Sequence, residues 1–84
     1  MRVHLRSYNQ GVPTASVAAG TLCAEPAWAI FVRDDYTGIT YSFDEKTGRE
    51  LIPAMNSEWR IETDDLRSIR EQREAAREVV NEQQ

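Results

Sequence analysis

A doubled five-residue motif constrains the fold of this chain more than any other feature of its sequence. Asp34–Gly38 reads DDYTG and Asp44–Gly48 reads DEKTG, so both have Asp first, an acid second, Thr fourth and Gly last. Aspartate at the start of a turn accepts hydrogen bonds from backbone N–H groups, and glycine at its end takes a left-handed conformation. Because each motif lies between strand-like runs, the pair predicts the turns of a three-stranded meander from Trp28 to Pro53. Its strands are expected at Trp28–Arg33, Gly38–Phe43 and Arg49–Pro53.

The same motif raises the alternative of a metal or phosphate site. A calcium-binding loop needs oxygen ligands at alternate positions and a closing acid further along the loop. A phosphate-binding loop needs several glycines that open a helix, together with a lysine. Neither motif supplies these patterns, so the sequence predicts turns, with no metal site and no cofactor site.

Two segments outside the meander also read as strands. Arg2–Tyr8 and Glu58–Glu62 alternate apolar and polar residues, which is typical of half-buried strands. Trp28–Arg33 is the most apolar run of the chain and predicts a strand that is covered on both faces. The predicted core comprises Val3, Leu5, Trp28, Ile30, Val32, Ile39, Tyr41, Phe43, Trp59, Ile61, Leu66 and Ile69.

The end of the chain predicts a helix over about residues 63–81, with the last few residues frayed. Thr63 can cap this helix, and two aspartates follow it where the helix dipole is positive. Leu66 and Ile69 can pack on the sheet, whereas the second half has little apolar surface. The pattern favours an ordinary amphipathic helix that lies on the sheet and frays at its end. The alternative is that the second half projects beyond the core or pairs with another chain, which makes the helix a candidate homodimer contact.

Residues 13–24 fit two structures. Their alanine content, with Pro13 at the first turn, favours a short helix. Alternation of Ala15, Val17 and Ala19 fits a strand, and Gly20 argues against the helix. The expected fold is α+β: one domain over residues 1–84, with an antiparallel sheet of about four strands, a C-terminal helix packed on it, and a short helix near residues 13–24.

Composition places the chain in the cytoplasm of a bacterium or of a host cell. A lone Cys23 cannot form an internal disulfide, and no secretory signal is visible. The longest nearly uncharged stretch, residues 11–32, is too polar to span a bilayer. The net charge is −4, and residues 34–62 carry seven acidic and three basic residues. Direct nucleic-acid binding is therefore not favoured, because it needs a basic patch.

Catalytic chemistry is not indicated. His4 is the single histidine and Cys23 the single thiol, so no zinc-binding set of histidines and cysteines exists. Cys23 with His4 as its base lacks any local nucleophile signature. Carboxylates are so numerous that no pair stands out for acid–base catalysis. The sequence predicts a protein without enzymatic activity.

The function predicted from these features is a small protein-binding module that inhibits or regulates a larger nucleic-acid-handling machine. Phage-encoded anti-CRISPR and antirestriction proteins are often small acidic domains, an analogy of size and charge alone. One alternative is a nucleic-acid-binding regulator that uses the face of Arg2, His4, Arg6 and Tyr8, and another is a virion or assembly subunit. The predicted partner-binding residues are Asp34, Asp35, Asp44 and Glu45 in the loops and Arg70, Glu74 and Arg77 on the helix.

Overall fold

The strand signals of the sequence become a five-stranded antiparallel sheet, followed by one long helix, in the computed structural model. The predicted α+β fold is confirmed. The structure describes residues 1–82, with side chains as far as residue 77, so the predicted fraying of the last few residues lies outside the described part. The elements are β1 Arg2–Asn9, β2 Val12–Leu22, β3 Ile30–Asp34, β4 Thr40–Phe43, β5 Ser57–Ile61 and α1 Thr63–Glu82.

The sheet curls until its two edges are linked. Its strand order is β4-β3-β2-β1-β5, so the first four strands form a meander and β5 returns beside β1. Between β4 and β5, Glu50 forms a bridge with Phe43, and Arg49 forms one with Arg60. The Leu51 N–H also donates to the Ser42 carbonyl oxygen (2.9 Å). Residues 49–51 therefore join the two edge strands, and the apolar side chains lie inside the curl.

The short helix predicted near residues 13–24 is wrong, because this segment is the longest strand, β2. Pairing on both sides overrides its alanine-based helix propensity: Arg2–Arg6 pairs with Val17–Thr21, and β3 pairs with the end of β2. At Gly20 an added Cβ would lie 2.5 Å from the Arg33 carbonyl oxygen. Glycine is thus required by the close approach of β3.

The predicted third meander strand, Arg49–Pro53, is also wrong. Only its first two residues make isolated bridges, and the segment leaves the sheet at Leu51. Pro53 has no N–H to donate to a ladder, and Met55 has a positive φ of 40°. The chain therefore loops outward before β5 begins at Ser57.

The core is largely the predicted one. Seven of the predicted residues form one buried cluster, and Tyr41, Trp59 and Leu66 pack partly buried against it. Two predictions were wrong: Trp28 is 72% exposed, because β3 begins only at Ile30, and Ile39 is exposed in the turn before β4. The buried cluster comprises Val3, Leu5, Ile30, Val32, Phe43, Ile61 and Ile69.

β3 is covered on one face, not on both as predicted. Ile30 and Val32 are buried, whereas Phe31 is half-buried and Arg33 is exposed. In residues 1–82 only one helix follows the sheet, and its Ile69 packs in the core with Ile30 and Val32, so no helix of this part of the chain covers the opposite face of β3. A strand buried on both faces needs a layer on each side.

The helix docks by two different means. Ile69 is buried in the core and Leu66 packs against it, so the first turns are held by apolar contacts. Further along, the Arg73 guanidinium donates to the carbonyl oxygens of Ala27 (3.4 Å) and Ala29 (2.8 Å). Within residues 1–82, no helix is both long enough and apolar enough to cross a membrane.

Candidate protein-binding surface

The doubled motif forms the same turn twice, which confirms the turn prediction. Asp34 Oδ1 accepts the N–H groups of Tyr36 (2.8 Å) and Thr37 (3.0 Å). Asp44 Oδ1 accepts those of the two equivalent residues at the same two distances. These donors, Thr47 first and then Lys46, hold the pKa of the Asp44 carboxyl below its usual value.

The Thr and Gly of each motif complete the turn. Thr37 Oγ1 and Thr47 Oγ1 each accept an N–H from two residues on, at 3.2 Å. Gly38 and Gly48 have φ values of 76° and 73°, the left-handed conformation that glycine adopts readily. The recurring residues are therefore explained by turn geometry.

The four acids of these motifs, which the sequence predicts to bind a partner, already have contacts within the molecule. Asp34 is only 6% exposed. Asp35 pairs with Arg2 (3.1 Å) and accepts a hydrogen bond from the Thr21 hydroxyl. The remaining acid, Glu45, lies 3.8 Å from the guanidinium groups of both Arg73 and Arg77.

The other three acids of residues 34–62 are engaged as well. Glu50 accepts the Trp59 N–H (3.1 Å), and Glu62 pairs with Arg6 (3.2 Å). Burial raises the pKa of Glu50, and the nearby Glu58 raises it further, although the Trp59 N–H opposes both. Glu58 forms ion pairs with Arg60 (2.7 Å) and Arg49 (3.3 Å). Partial burial raises the pKa of Glu58, but these two pairs bring it below its usual value.

All seven acids of this segment thus have partners within the molecule. They therefore contribute mainly to the negative electrostatic potential around the protein, and less to direct contacts with a partner. The net charge mainly affects the rate at which a partner is encountered.

The basic face proposed for nucleic acid is neutralised in the same way. Arg2 pairs with Asp35, His4 Nδ1 lies 2.9 Å from Asp65, and Arg6 pairs with Glu62. The Tyr8 ring, which could have stacked on a base, is covered by the Arg60 guanidinium, 3.9 Å from the ring centroid. Phosphate binding at this face would have to break these ion pairs.

The helix residues predicted to bind a partner face different ways. Arg70 and Glu74 are exposed and line a shallow groove on the helix together with Leu66. Arg77 instead reaches Glu45 in the second turn. The structure joins Glu45 to Arg77, and the contribution of these residues to partner binding stays a prediction.

The feature that sequence reasoning missed is an exposed apolar loop, Leu51–Met55, with the sequence LIPAM. All five residues are exposed, and Ile52 and Met55 are 81% and 96% exposed. The signal is five consecutive apolar residues, but the sequence pattern predicts a strand that includes the first three of them. We call Leu51–Met55 the apolar loop.

The backbone on both sides of the apolar loop is fixed. On one side the Leu51 N–H donates to Ser42, and on the other the Ser57 N–H donates to the Ala54 carbonyl oxygen (2.8 Å). Asn56 directly follows the apolar loop, and its carbonyl oxygen accepts the Gln10 N–H of the β1–β2 hairpin (2.8 Å). Apolar side chains are therefore held outward by an ordered frame.

The β1–β2 hairpin lies beside the apolar loop. A groove between them is lined by Gly11, Pro53 and Met55 together with five polar or charged residues, and Val12, next to Gly11, is exposed. Contiguous exposed apolar surface marks contacts with proteins or membranes. The net charge of −4 opposes adsorption to the anionic surface of a membrane. A protein partner is therefore favoured.

Among the described residues, no group of three or more His, Cys, Asp and Glu side chains is arranged to hold a metal ion. The two candidate catalytic groups have other contacts: His4 bonds to Asp65, and Cys23 lies 4.0 Å from the Thr21 carbonyl oxygen. Comparison of the chain with protein-family models, curated proteins and solved structures gave no match.

Proposed function

We propose that this protein is a small, non-catalytic binding module that regulates or inhibits a larger complex by placing its apolar loop in an apolar cleft of that complex. The observation that carries the proposal is the outward display of Ile52 and Met55 on a backbone that is hydrogen-bonded at both ends. Exposed apolar side chains bring no benefit to the monomer, whereas burying them contributes about 25 cal/mol for each Å² removed from water.

The fixed frame of the loop supports binding in a second way. Association costs the free energy needed to order loops and side chains at the interface. Because the Leu51 N–H donates to Ser42 and the Ala54 carbonyl oxygen accepts the Ser57 N–H, little of the backbone of this segment remains to be ordered. A pre-ordered apolar loop suits a preformed cleft.

The expected partner is a nucleic-acid-handling complex, and an anti-defence protein of phage origin is the specific form of this proposal. Proteins that bind nucleic acid carry basic grooves, which attract a protein of net charge −4 over distances of about 10 Å. In this proposal the paired carboxylates speed the encounter, and the apolar loop supplies the lasting contact. The expected compartment is the cytoplasm of the cell in which that complex works.

The apolar loop is tested by replacing Ile52 and Met55 together with serine. Cross-linking and affinity capture from host cells, followed by mass spectrometry, identify the complex, and biolayer interferometry then measures its affinity. We expect the double variant to bind at least about tenfold more weakly, a loss of about 1.4 kcal/mol. The matched control replaces two exposed apolar residues elsewhere, Trp28 and Ile39, with serine and should keep the affinity. Equal binding by the wild type and the loop variant would refute the proposal.

The partner class is tested separately by removing charge. Asp35→Asn with Glu45→Gln should slow association and reduce its dependence on salt, while dissociation changes little. A partner without a basic groove would show no such change. If the purified protein itself shifts DNA or RNA at physiological salt, and Arg2→Glu with Arg6→Glu abolishes the shift, direct nucleic-acid binding replaces the proposed function.

A further inference from the structure

The outer edge of β2 is open along more than half of its length. β3 pairs only with Gly20, Thr21 and Leu22. The last bond to this edge comes from Asp35, the residue after β3, whose N–H donates to the Ala19 carbonyl oxygen (3.1 Å). In the described part of the chain, no strand pairs with this edge before Ala19.

The direction of the peptide groups can be read from the ends of β2. The Leu22 N–H donates to Met1 on the β1 side (3.0 Å), whereas the Cys23 N–H donates to Phe31 on the β3 side (2.8 Å). Successive residues of an antiparallel strand turn their N–H and C=O groups to opposite sides. The register with β1 stays regular as far as Val17, so the N–H and C=O of Val17 point to the open side.

The side chains of this edge do not protect it. Residues 12–19 are uncharged, whereas exposed edges are normally guarded by charges, prolines or bulges. Here Pro13 and the irregular register between Arg6 and Tyr8 interrupt one end only. Ser16–Ala18 remains open, and within it Val17 is 63% exposed.

A groove follows the open edge and is lined by Val17, Tyr36 and Trp59. Tyr36 is 97% exposed, whereas Trp59 packs partly buried against the core. Arg2 and Asp35 also line the groove, but they pair with each other (3.1 Å). The groove therefore offers aromatic and aliphatic surface beside unpaired backbone groups, with no excess of cationic side chains.

We propose that this edge is a second binding site, which accepts an extended, uncharged, apolar segment of a partner protein as an added strand. The backbone groups of Val17 would bond to the added strand, and the aromatic groups of Tyr36 and Trp59 would contact its alternate side chains. The inference rests on the proposed function in taking a protein as partner, but it makes no use of the apolar loop.

A second copy of the chain fits this edge poorly. If Val17 paired with Val17 of another copy, residue 14 of that copy would lie opposite Gly20, which already pairs with Asp34. Centring the pair on Ala15 would put Pro13 opposite Val17, and proline has no N–H to donate. Centring it on Ser16 would put Pro13 opposite Ala19, whose carbonyl oxygen already accepts the Asp35 N–H. A segment of a different protein meets neither obstacle.

The test selects ligands for the full chain from a random peptide library displayed on phage. Selected peptides are expected to be extended and apolar, and to slow hydrogen exchange at the amides of Val17 and Ala19 in NMR spectra. Val17→Pro removes the outward N–H and should weaken binding of a selected peptide by at least about tenfold, or 1.4 kcal/mol. Val17→Thr keeps the N–H and the branched shape, and it should bind within about twofold of the wild type.

A second variant covers the case in which Val17→Pro fails to fold. Val17→Lys keeps the backbone and places a charge on the edge, and it should also abolish binding. The proposal is overturned if no peptide is selected, if binding survives in both variants, or if the protected amides lie elsewhere. A concentration-dependent dimer with protected Val17 would assign the edge to a second copy and overturn it too. Peptide binding should persist in the Ile52→Ser, Met55→Ser variant, which separates this test from that of the proposed function.

Discussion

The two turns of the doubled motif have the same backbone and different surroundings. In the first, Asp34 is buried at the end of β3, and a Cβ added to Gly38 would meet nothing within 4 Å. In the second, Gly48 is buried, and an added Cβ would lie 3.0 Å from Leu66 Cδ2. Local sequence therefore determines the shape of each turn, whereas tertiary packing determines which of its residues contributes most to stability.

The largest expected effect comes from changing each glycine to valine. Left-handed backbone costs a residue with a Cβ about 1–2 kcal/mol, and both positions should show this cost. Gly48→Val should lose about 1–3 kcal/mol more, because the new side chain collides with Leu66. Urea unfolding of both variants gives the two losses. Equal losses would show that Leu66 moves aside at little cost and that packing does not make Gly48 more sensitive than Gly38.

The next effect, loss of the aspartate, should be larger in the first turn than in the second. Asp34→Ala removes a buried carboxylate that accepts two backbone N–H groups, and it should cost about 1–3 kcal/mol. Asp44→Ala should cost less, because water can reach the N–H groups that it frees. Matched Asp→Asn variants keep an acceptor and should recover most of both losses. If Asp44→Ala were the more damaging change, burial would not be what separates the turns.

A smaller effect depends on pH. The lowered folded-state pKa of Asp44 gives stability that is present above its unfolded pKa and is lost as pH falls through the folded value. Asp44→Asn lacks this contribution, so the wild type should be the more stable protein at pH 7. The difference should shrink below about pH 4. Melting temperatures of both proteins across this range provide the measurement, and a constant difference would contradict the attribution to Asp44.

The smallest effect is expected at the middle of each turn. Tyr36 and Lys46 occupy the variable position, and both side chains are exposed. Exchanging them should change the free energy of unfolding by less than about 0.5 kcal/mol. Thermal unfolding of the exchanged variant tests this. A larger loss would reveal a contact at one tip that the two turns do not share.

Much of the fold followed from local pattern. The two turns, the alternating strands around them, the helix beginning at Thr63 and the buried cluster all follow from spacing and from turn chemistry. These features depend on neighbours a few residues away. Residues such as Val3 and Leu5 can therefore be placed on a face without knowledge of the tertiary structure.

The features that could not be predicted depend on distant partners. β2 is a strand because β1 and β3 flank it, and Gly20 is needed where Arg33 passes close by. Trp28 reads as core but lies before the first residue of β3. The candidate surface was missed for the same reason: Leu51 leaves the sheet after a single bond to Ser42, and an apolar run such as Leu51–Met55 fits a strand as well as an exposed loop.

The link between the two sheet edges has a consequence for the order of folding. The link requires β5 to be in place beside β1, where Leu5 pairs with Ile61, a residue that is distant from it in the sequence. Pairing of this kind is slow, because a long loop must close before any contact rewards it, whereas the β1–β2 and β3–β4 hairpins can form early. The apolar loop is anchored by bonds on either side of this closure. We therefore expect a newly made chain to gain its binding surface in its last folding step, so that partners meet only finished molecules.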